Sequence, residues 1–407
     1  MTDELIAECS REAKPEASPA GGVSPALMVE LVKGGGLDAF DQIADEWRQM
    51  LAHVPDDPPY WRPEWIRAAL RARWPKAKVM VVTVRRAGRL CAVLPLKLET
   101  GKFWRVPARK LSAPPTMWGV GIDLLCVADV DEEEAMHAIW NFLKKLKGWD
   151  VLEFPSVLRG AKIERLAEIA RAEGYLTGNW EIPLIAFFAI PQGPGALKEL
   201  GNYPRHPKLN SKVKNREAKL AALGTIRLTR TDKATPEEIQ RFYEMESSGR
   251  KAQGSGAILS DPNRQQFFDE VIKEAQRFNY LCLYNLELDG RSIAAHIGFT
   301  YRGRYWAAKS AYDEKYRDYA PGHVIVKAIL RDLVERGISE YVMGIREDWK
   351  MEWTEHTRAR TFQCVFNRGV WPRTLYACRF ELGRYKARIE AVAQATRKVL
   401  GAFSGRR

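Results

Sequence analysis

The chain has 407 residues, more than one ordinary core of about 100–200 residues accommodates, so two domains are expected. Its composition, 46% hydrophobic, 10% aromatic and 28% charged, fits a globular protein with a sizeable core and excludes wholesale disorder. A net charge of +13 favours polyanionic partners, whether nucleic acid, an anionic membrane surface or a phosphate-bearing cofactor, without choosing among them.

Residues 1–27 carry Asp3, Glu4, Glu8, Glu12 and Glu16 beside Pro15, Pro19, Gly21, Gly22 and Pro25, and read as a disordered tail. They lack the basic segment and apolar core of a secretory signal, and no apolar run reaches the roughly 18–20 residues of a membrane span. The six cysteines form no CxxC pair, which points to a reducing cytoplasm and to no structural metal.

After the tail, helical segments around Phe40 and around Trp65, Ile66 and Leu70 lead into Val82-Thr83-Val84, a strand ending in a turn at Gly88. The same order returns at an offset of 202 residues: Phe242, then Phe267, Phe268 and Ile272, then Tyr284-Asn285-Leu286 and a turn at Gly290. Across 88–104 and 290–306 five of seventeen residues are identical, Gly88/Gly290, Arg89/Arg291, Ala92/Ala294, Gly101/Gly303 and Trp104/Trp306, against about one by chance. Gly88 and Gly290 suit the positive φ of a hairpin turn, and Gly101 and Gly303 mark a second, so each half reads as a three-strand antiparallel meander. A helix at 132–147, stopped by Gly148, precedes Val151-Leu152-Glu153-Phe154; one at 322–336, stopped by Gly337, precedes Tyr341-Val342-Met343. A helix between strands of one sheet implies a parallel crossover, so the fold class is α/β (α+β), with a mixed, mostly antiparallel sheet in each half.

The Pro- and Gly-rich stretch 191–207 reads as a linker between domains 28–190 and 208–372, with 208–222 a basic helix opening the second. Residues 373–407 place Leu382, Tyr385, Ile389, Val392 and Val399 at helical spacing among Arg and Lys. That is a basic amphipathic helix, packed on the second domain or lying on anionic lipid at the inner face of a membrane.

Several short motifs carry a family resemblance. In the first half they are Trp61-Arg62-Pro63-Glu64-Trp65 and Ala92-Val93-Leu94-Pro95-Leu96. In the second they are Ser211-Lys212-Val213-Lys214-Asn215-Arg216, Glu246-Ser247-Ser248-Gly249-Arg250-Lys251, Ala311-Tyr312-Asp313 with Tyr316, Tyr319-Ala320-Pro321-Gly322-His323, and Gly344 with Trp349-Lys350. Over residues 28–372 their order resembles two tandem GNAT acyltransferase domains of the FemABX-like branch, most nearly the bacterial GNAT proteins associated with cellulose and exopolysaccharide biosynthesis. Ala320 stands where that family commonly has Ser, and Arg250 where it has Trp. The resemblance implies transfer of an acyl group from acyl-CoA to an amine or hydroxyl of a small-molecule or polysaccharide-precursor acceptor. The rival donor it implies is aminoacyl-tRNA, the one setting in which a nucleic acid partner is expected. A non-catalytic basic binding module is the remaining alternative.

The residues themselves suggest how such chemistry would be divided. A helix start at Pro321, Gly322, His323 and Val324 offers backbone N–H donors to a pyrophosphate, with no carboxylate before Asp332. The matching helix of the first half opens Asp131-Glu132-Glu133-Glu134, which repels a phosphate. His296 shares a strand face with Ala294 and Gly298 and is the candidate base, with Glu246 and Asp313 as alternatives. Lys251, Lys309, Tyr316, Arg346 and Lys350 are candidates for binding the acceptor or the donor phosphates. No G-x-S-x-G or catalytic cysteine setting is present, so direct attack on the thioester is expected.

Overall fold

The computed structural model describes residues 25–32, 37–114, 116, 123–204, 207–248 and 256–382. The tail, Lys251 and most of the expected C-terminal helix lie outside the described residues. The first half runs β1 (Leu27–Val32), α1 (Asp38–Leu51), α2 (Pro63–Arg73), β2 (Lys78–Arg86), β3 (Arg89–Phe103), β4 (Val106–Ser112), β5 (Leu125–Cys126), α3 (Glu132–Leu143), β6 (Val151–Leu158), α4 (Lys162–Ala172) and β7 (Leu176–Ala189). After α5 (Ala196–Leu200) the second half follows as α6 (Pro207–Ala221), β8 (Ile226–Thr231), α7 (Pro236–Ser248), α8 (Pro262–Arg277), β9 (Leu281–Leu288), β10 (Arg291–Tyr301), β11 (Arg304–Tyr312), α9 (Pro321–Glu335), β12 (Glu340–Ile345), α10 (Asp348–Met351), β13 (Thr357–Phe366) and α11 (Val370–Tyr376). The helices form where apolar residues recur every three or four positions: α1 buries Phe40, Ile43, Trp47 and Met50, and α8 buries Phe267, Phe268, Val271 and Ile272.

The thirteen strands among the described residues belong to one mixed sheet, ordered β1-β2-β3-β4-β6-β13-β7-β12-β11-β10-β9-β8, with β5 on β3. Both expected crossovers are present: β4 lies parallel to β6 and β11 parallel to β12. The halves also exchange strands. β13, from the second half, inserts between β6 and β7, and β7 continues past it to pair with β12 through Ile185–Ala189. The connection at 191–207 therefore separates two stretches of sequence that build one continuous sheet.

The repeat is real in topology but drifts in register. The first hairpin turns are Ala87-Gly88 and Asp289-Gly290, all four residues at positive φ, as the offset of 202 requires. The second turns are Trp104-Arg105 and Arg302-Gly303. Gly101 is thus a strand residue and not a turn: β3 has 15 residues where β10 has 11, and the extra even number keeps every side chain on its face. Trp104, at the tip, and Trp306, buried in β11, are not equivalents.

The segment that enters α2 docks against the β10–β11 hairpin. Tyr60 meets Trp306 edge-on at 5.4 Å, and Trp65 meets Phe267 at 5.6 Å and Phe299 at 5.0 Å. Buried Asp57 accepts from the Tyr301 hydroxyl at 2.6 Å and pairs with Arg302. Burial pushes its carboxyl above the usual value, against the pull of those two partners, so the charge itself gains little from the fold. Asp57→Ala is expected to cost about 2–4 kcal/mol of unfolding free energy in urea titration, and Asp57→Asn, which keeps an acceptor for Tyr301, less than about 1 kcal/mol.

Candidate active site

β11 and β12 pair at only three positions, Arg304/Glu340, Tyr305/Tyr341 and Trp306/Val342, and then part. Each strand carries a bulge at the point of parting. On β11 the pairing with β10 skips Ala308, and on β12 the pairing with β7 skips Met343, with Gly344 at φ +84. A bulge bends its strand and steepens its twist, so two of them on facing strands open a wedge in the sheet. The wedge is a cleft of about 720 Å³ walled by β11 and the end of β12, with His296 and Tyr341 on its wall and Pro321, Gly322 and His323 at the start of α9 beside it. Ile185, Ala307, Ala308 and Gly344 also line a narrow gap walled by Tyr60, Trp65 and Trp306, so the opening reaches toward the first half.

His296 is buried on β10, on the face shared with Ala294 and opposite Ile297 and Phe299, as strand alternation requires. Its Nδ1 lies 2.7 Å from the Tyr305 hydroxyl and its Nε2 lies 3.1 Å from the Tyr341 hydroxyl. In its neutral form the imidazole donates from one nitrogen and accepts at the other, so in that form one tyrosine donates to the ring and the other accepts from it. Burial pushes both phenols far above their ordinary pKa, which keeps them protonated. The result is a Tyr–His–Tyr relay with Tyr341 and His296 on the cleft wall. Gly298 makes it possible: a Cβ there would come within 2.5 Å of Tyr305 Cζ and Oη.

α9 starts from Ala320, at φ +46, which offers no side-chain cap, and Pro321 has no N–H to satisfy. The amides of His323 and Val324 both reach the Ala320 carbonyl, at 3.0 and 3.3 Å, which leaves the Gly322 N–H as the spare donor of that turn. A side chain at Gly322 would meet only Tyr312, at 3.8 Å, so the approach is open. Exposed Arg317 and the half-buried His323 also line the cleft. Burial lowers the His323 pKa, and its ring stacks on Trp353 at 6.0 Å. An uncapped helix start with a bare glycine and a nearby guanidinium fits a phosphate group.

The first half supplies a control. There Asp131 caps α3, accepting from the amides of Glu133 at 2.8 Å and Glu134 at 3.2 Å. The register also identifies the counterparts of the relay. Leu98/Leu111 corresponds to Thr300/Tyr305 and Leu111/Leu152 to Tyr305/Tyr341, so leucines 94, 111 and 152 stand where His296, Tyr305 and Tyr341 stand. All three are buried in the apolar core.

Of the residues singled out from sequence, His296, Lys309, Pro321, Gly322, His323 and Lys350 come together at the cleft. Lys350 holds the end of β12, donating to the Ile345 carbonyl at 2.7 Å and pairing with Glu347 at 3.3 Å. Lys309 turns its ammonium away to Glu246, 2.8 Å, and to the Gly256 carbonyl, 2.9 Å. Glu246 does not line the cleft: its second oxygen accepts from the Ile258 amide at 2.7 Å, so the pair fastens α7 to the segment beyond it. Asp313 caps the 3₁₀ turn Glu314–Tyr319 and pairs with Arg291 at 3.2 Å. Val324 is buried in the core, Tyr316 packs at its margin and Arg346 lies exposed past the end of β12. Tyr305, Tyr341 and Arg317 were not singled out from sequence. The one available signal was a tyrosine in each of the two strands flanking the crossover.

Residues 207–351 match the model of the acetyltransferase (GNAT) domain, a region that holds every residue lining the cleft except Ile185. No curated protein matches the chain. Among solved structures, FemX is 14% identical with a TM-score of 0.55, over 83% of this chain and 98% of that one. A conserved protein of unknown function from Bacteroides thetaiotaomicron is 12% identical with a TM-score of 0.50, over 84% of this chain and 100% of that one. A tandem GNAT protein from the clavulanic acid biosynthesis pathway is 16% identical with a TM-score of 0.44, over 84% and 100%. Residues 207–351 thus match a GNAT acetyltransferase domain, and the first half repeats its meander and parallel crossover.

Gly298→Ala is expected to cost about 1–3 kcal/mol in thermal or urea unfolding, because Tyr305 must leave His296 to make room. Gly256→Ala, at a position with open space around it, is the neutral comparison.

Proposed function

We propose that the protein transfers an acyl group from a CoA thioester, bound in the wedge between β11 and β12, to an amine or hydroxyl of a sugar-containing envelope or exopolysaccharide precursor. The observation that carries this reading is the wedge itself, opened by paired bulges beside a helix start that has a bare glycine and no cap. The Gly322 N–H and Arg317 would hold the donor pyrophosphate, and the parted strand edges would take the rest of the donor. When bound, the donor supplies a thioester carbonyl for direct attack by the acceptor.

Backbone N–H groups freed by the parting of the strands would take up the negative charge that grows on the carbonyl oxygen. The acceptor must lose a proton as it attacks, and Tyr341, His296 and Tyr305 form a chain along which that proton can move. The acceptor would approach from the first half, where Tyr60 and Trp306 offer an aromatic wall suited to a sugar face. On this reading the first half, with leucines in place of the relay, serves as part of the acceptor wall.

A second donor is favoured by one feature, the basic face of α6. Lys208 and Lys212 stand on one side of a separate groove of about 640 Å³ whose other side carries Asp348, Glu352 and Glu355, and Arg216 donates to the Asp318 carbonyl just before α9. That face would suit the phosphates of an aminoacyl-tRNA. A thermal-shift panel separates the two readings. Acetyl-CoA and longer acyl-CoA esters are expected to raise Tm saturably in the wild type and not in Gly322→Glu, while tRNA leaves Tm unchanged. Equal stabilisation of both proteins by the thioesters would remove the proposed donor site. With a panel of amino sugars as acceptors and free thiol release as readout, His296→Gln is expected to lower kcat about 100-fold or more with donor KM unchanged.

A further inference from the structure

Exposed apolar side chains gather where the β3–β4 hairpin meets the start of α11. Trp104, at the hairpin tip, is 58% exposed; Val370 and Trp371, the first residues of α11, are 85% and 46% exposed. Two contacts join these elements into one face. Trp371 Nε1 donates to the Pro107 carbonyl at 3.2 Å, and the Arg379 guanidinium lies over the Trp104 ring at 4.2 Å and over Trp180 at 4.5 Å. The face is held out by its own packing. Pro372 and Leu375 on the inner side of α11 are buried, and Tyr376 meets Phe366 edge-on at 5.4 Å, so Val370 and Trp371 are directed away from the core.

Cations surround these apolar groups. Lys102, Arg105, Arg368 and Arg373 are exposed there, and Lys102, Arg105 and Arg373 have no ion-pair partner among the described residues. Exposed apolar side chains within a basic rim suit the interfacial zone of an anionic bilayer. Indole rings settle at headgroup level, aliphatic side chains enter the acyl boundary, and arginines and lysines meet lipid phosphates.

We propose that this face, formed by the Trp104–Arg105 turn and the start of α11, docks on an anionic lipid surface. The chain's own residues 383–407 make a poor occupant, because Arg384, Lys386, Arg388, Arg397, Lys398, Arg406 and Arg407 against Glu390 would bring like charge to a basic rim. Over an anionic bilayer the same charges add to the attraction. A nucleic acid is the weaker match. Val370, the most exposed of these side chains, has no ring to stack on a base, and the Trp371 indole N–H is already bonded to Pro107.

The test is co-sedimentation of the full chain with vesicles of phosphatidylcholine, with and without about one-third phosphatidylglycerol. The protein is expected to bind the anionic vesicles and not the neutral ones. Trp104→Ala with Val370→Asp is expected to weaken partitioning about tenfold or more. Both residues are exposed, so Tm and the response to CoA thioesters should stay at wild-type values, which keeps this result separate from the donor-site reading. Equal partitioning of variant and wild type, no binding to anionic vesicles, or loss in the variant of single-stranded oligonucleotide binding with vesicle binding intact would each overturn the proposal.

Discussion

Helix α9 returns the chain so that β12 lies parallel to β11, and because the two strands pair only through their N-terminal residues their C-terminal ends are free to part. Here the pair opens after Trp306 and Val342, because a skipped residue in each strand, Ala308 and Met343, bends the two apart while β10 and β7 keep their outer edges paired. The same helix that enforces the parallel pairing begins at the wedge, which puts Gly322 beside the gap. Cleft and helix start are two consequences of one crossover.

The two halves show what a repeated topology leaves undecided. Each has the meander, the crossover helix and a parallel pair limited to three positions. In the first, leucines 94, 111 and 152 fill the interior and Asp131 occupies the amides at the start of α3. In the second, His296, Tyr305 and Tyr341 form a bonded chain and Ala320 leaves its helix uncapped. Burying three polar side chains is tolerable only because each bonds to the next. Strand exchange through β13 and β7 ties the halves into one sheet, and Tyr60, Trp65 and Asp57 of the first half pack on the β10–β11 hairpin.

Local signals proved readable where the chemistry is local. Gly88 and Gly290 at positive φ, the helix stop at Gly337, the Pro321-Gly322 start and the apolar stripes of α1 and α8 all lie where periodicity and turn chemistry put them, whereas α3 ends at Leu143, before the expected stop at Gly148. Register proved less readable. Gly101 matches Gly303 in sequence but sits in a strand, because four extra residues lengthen β3 without changing which face any side chain takes. Lys309 and Glu246 illustrate the same limit. Sequence makes Glu246 a candidate base and Lys309 a candidate for binding the acceptor or the donor phosphates, and they spend themselves largely on each other across 63 positions of chain.

By itself the sequence determined a mixed strand set with one parallel crossover in each half, the contrast between an acidic and an open helix start, and the strand face on which His296 lies. Those follow from periods of two and 3.6 residues and from the backbone preferences of Gly and Pro, which act within a few residues of their cause. Only the tertiary structure decided that β13 enters the first-half sheet, that two bulges part β11 from β12, and that Tyr305 and Tyr341 both reach the imidazole of His296. Each of these depends on pairing between strands far apart in the chain, and pairing register is settled by packing across the whole sheet rather than by any local run of residues.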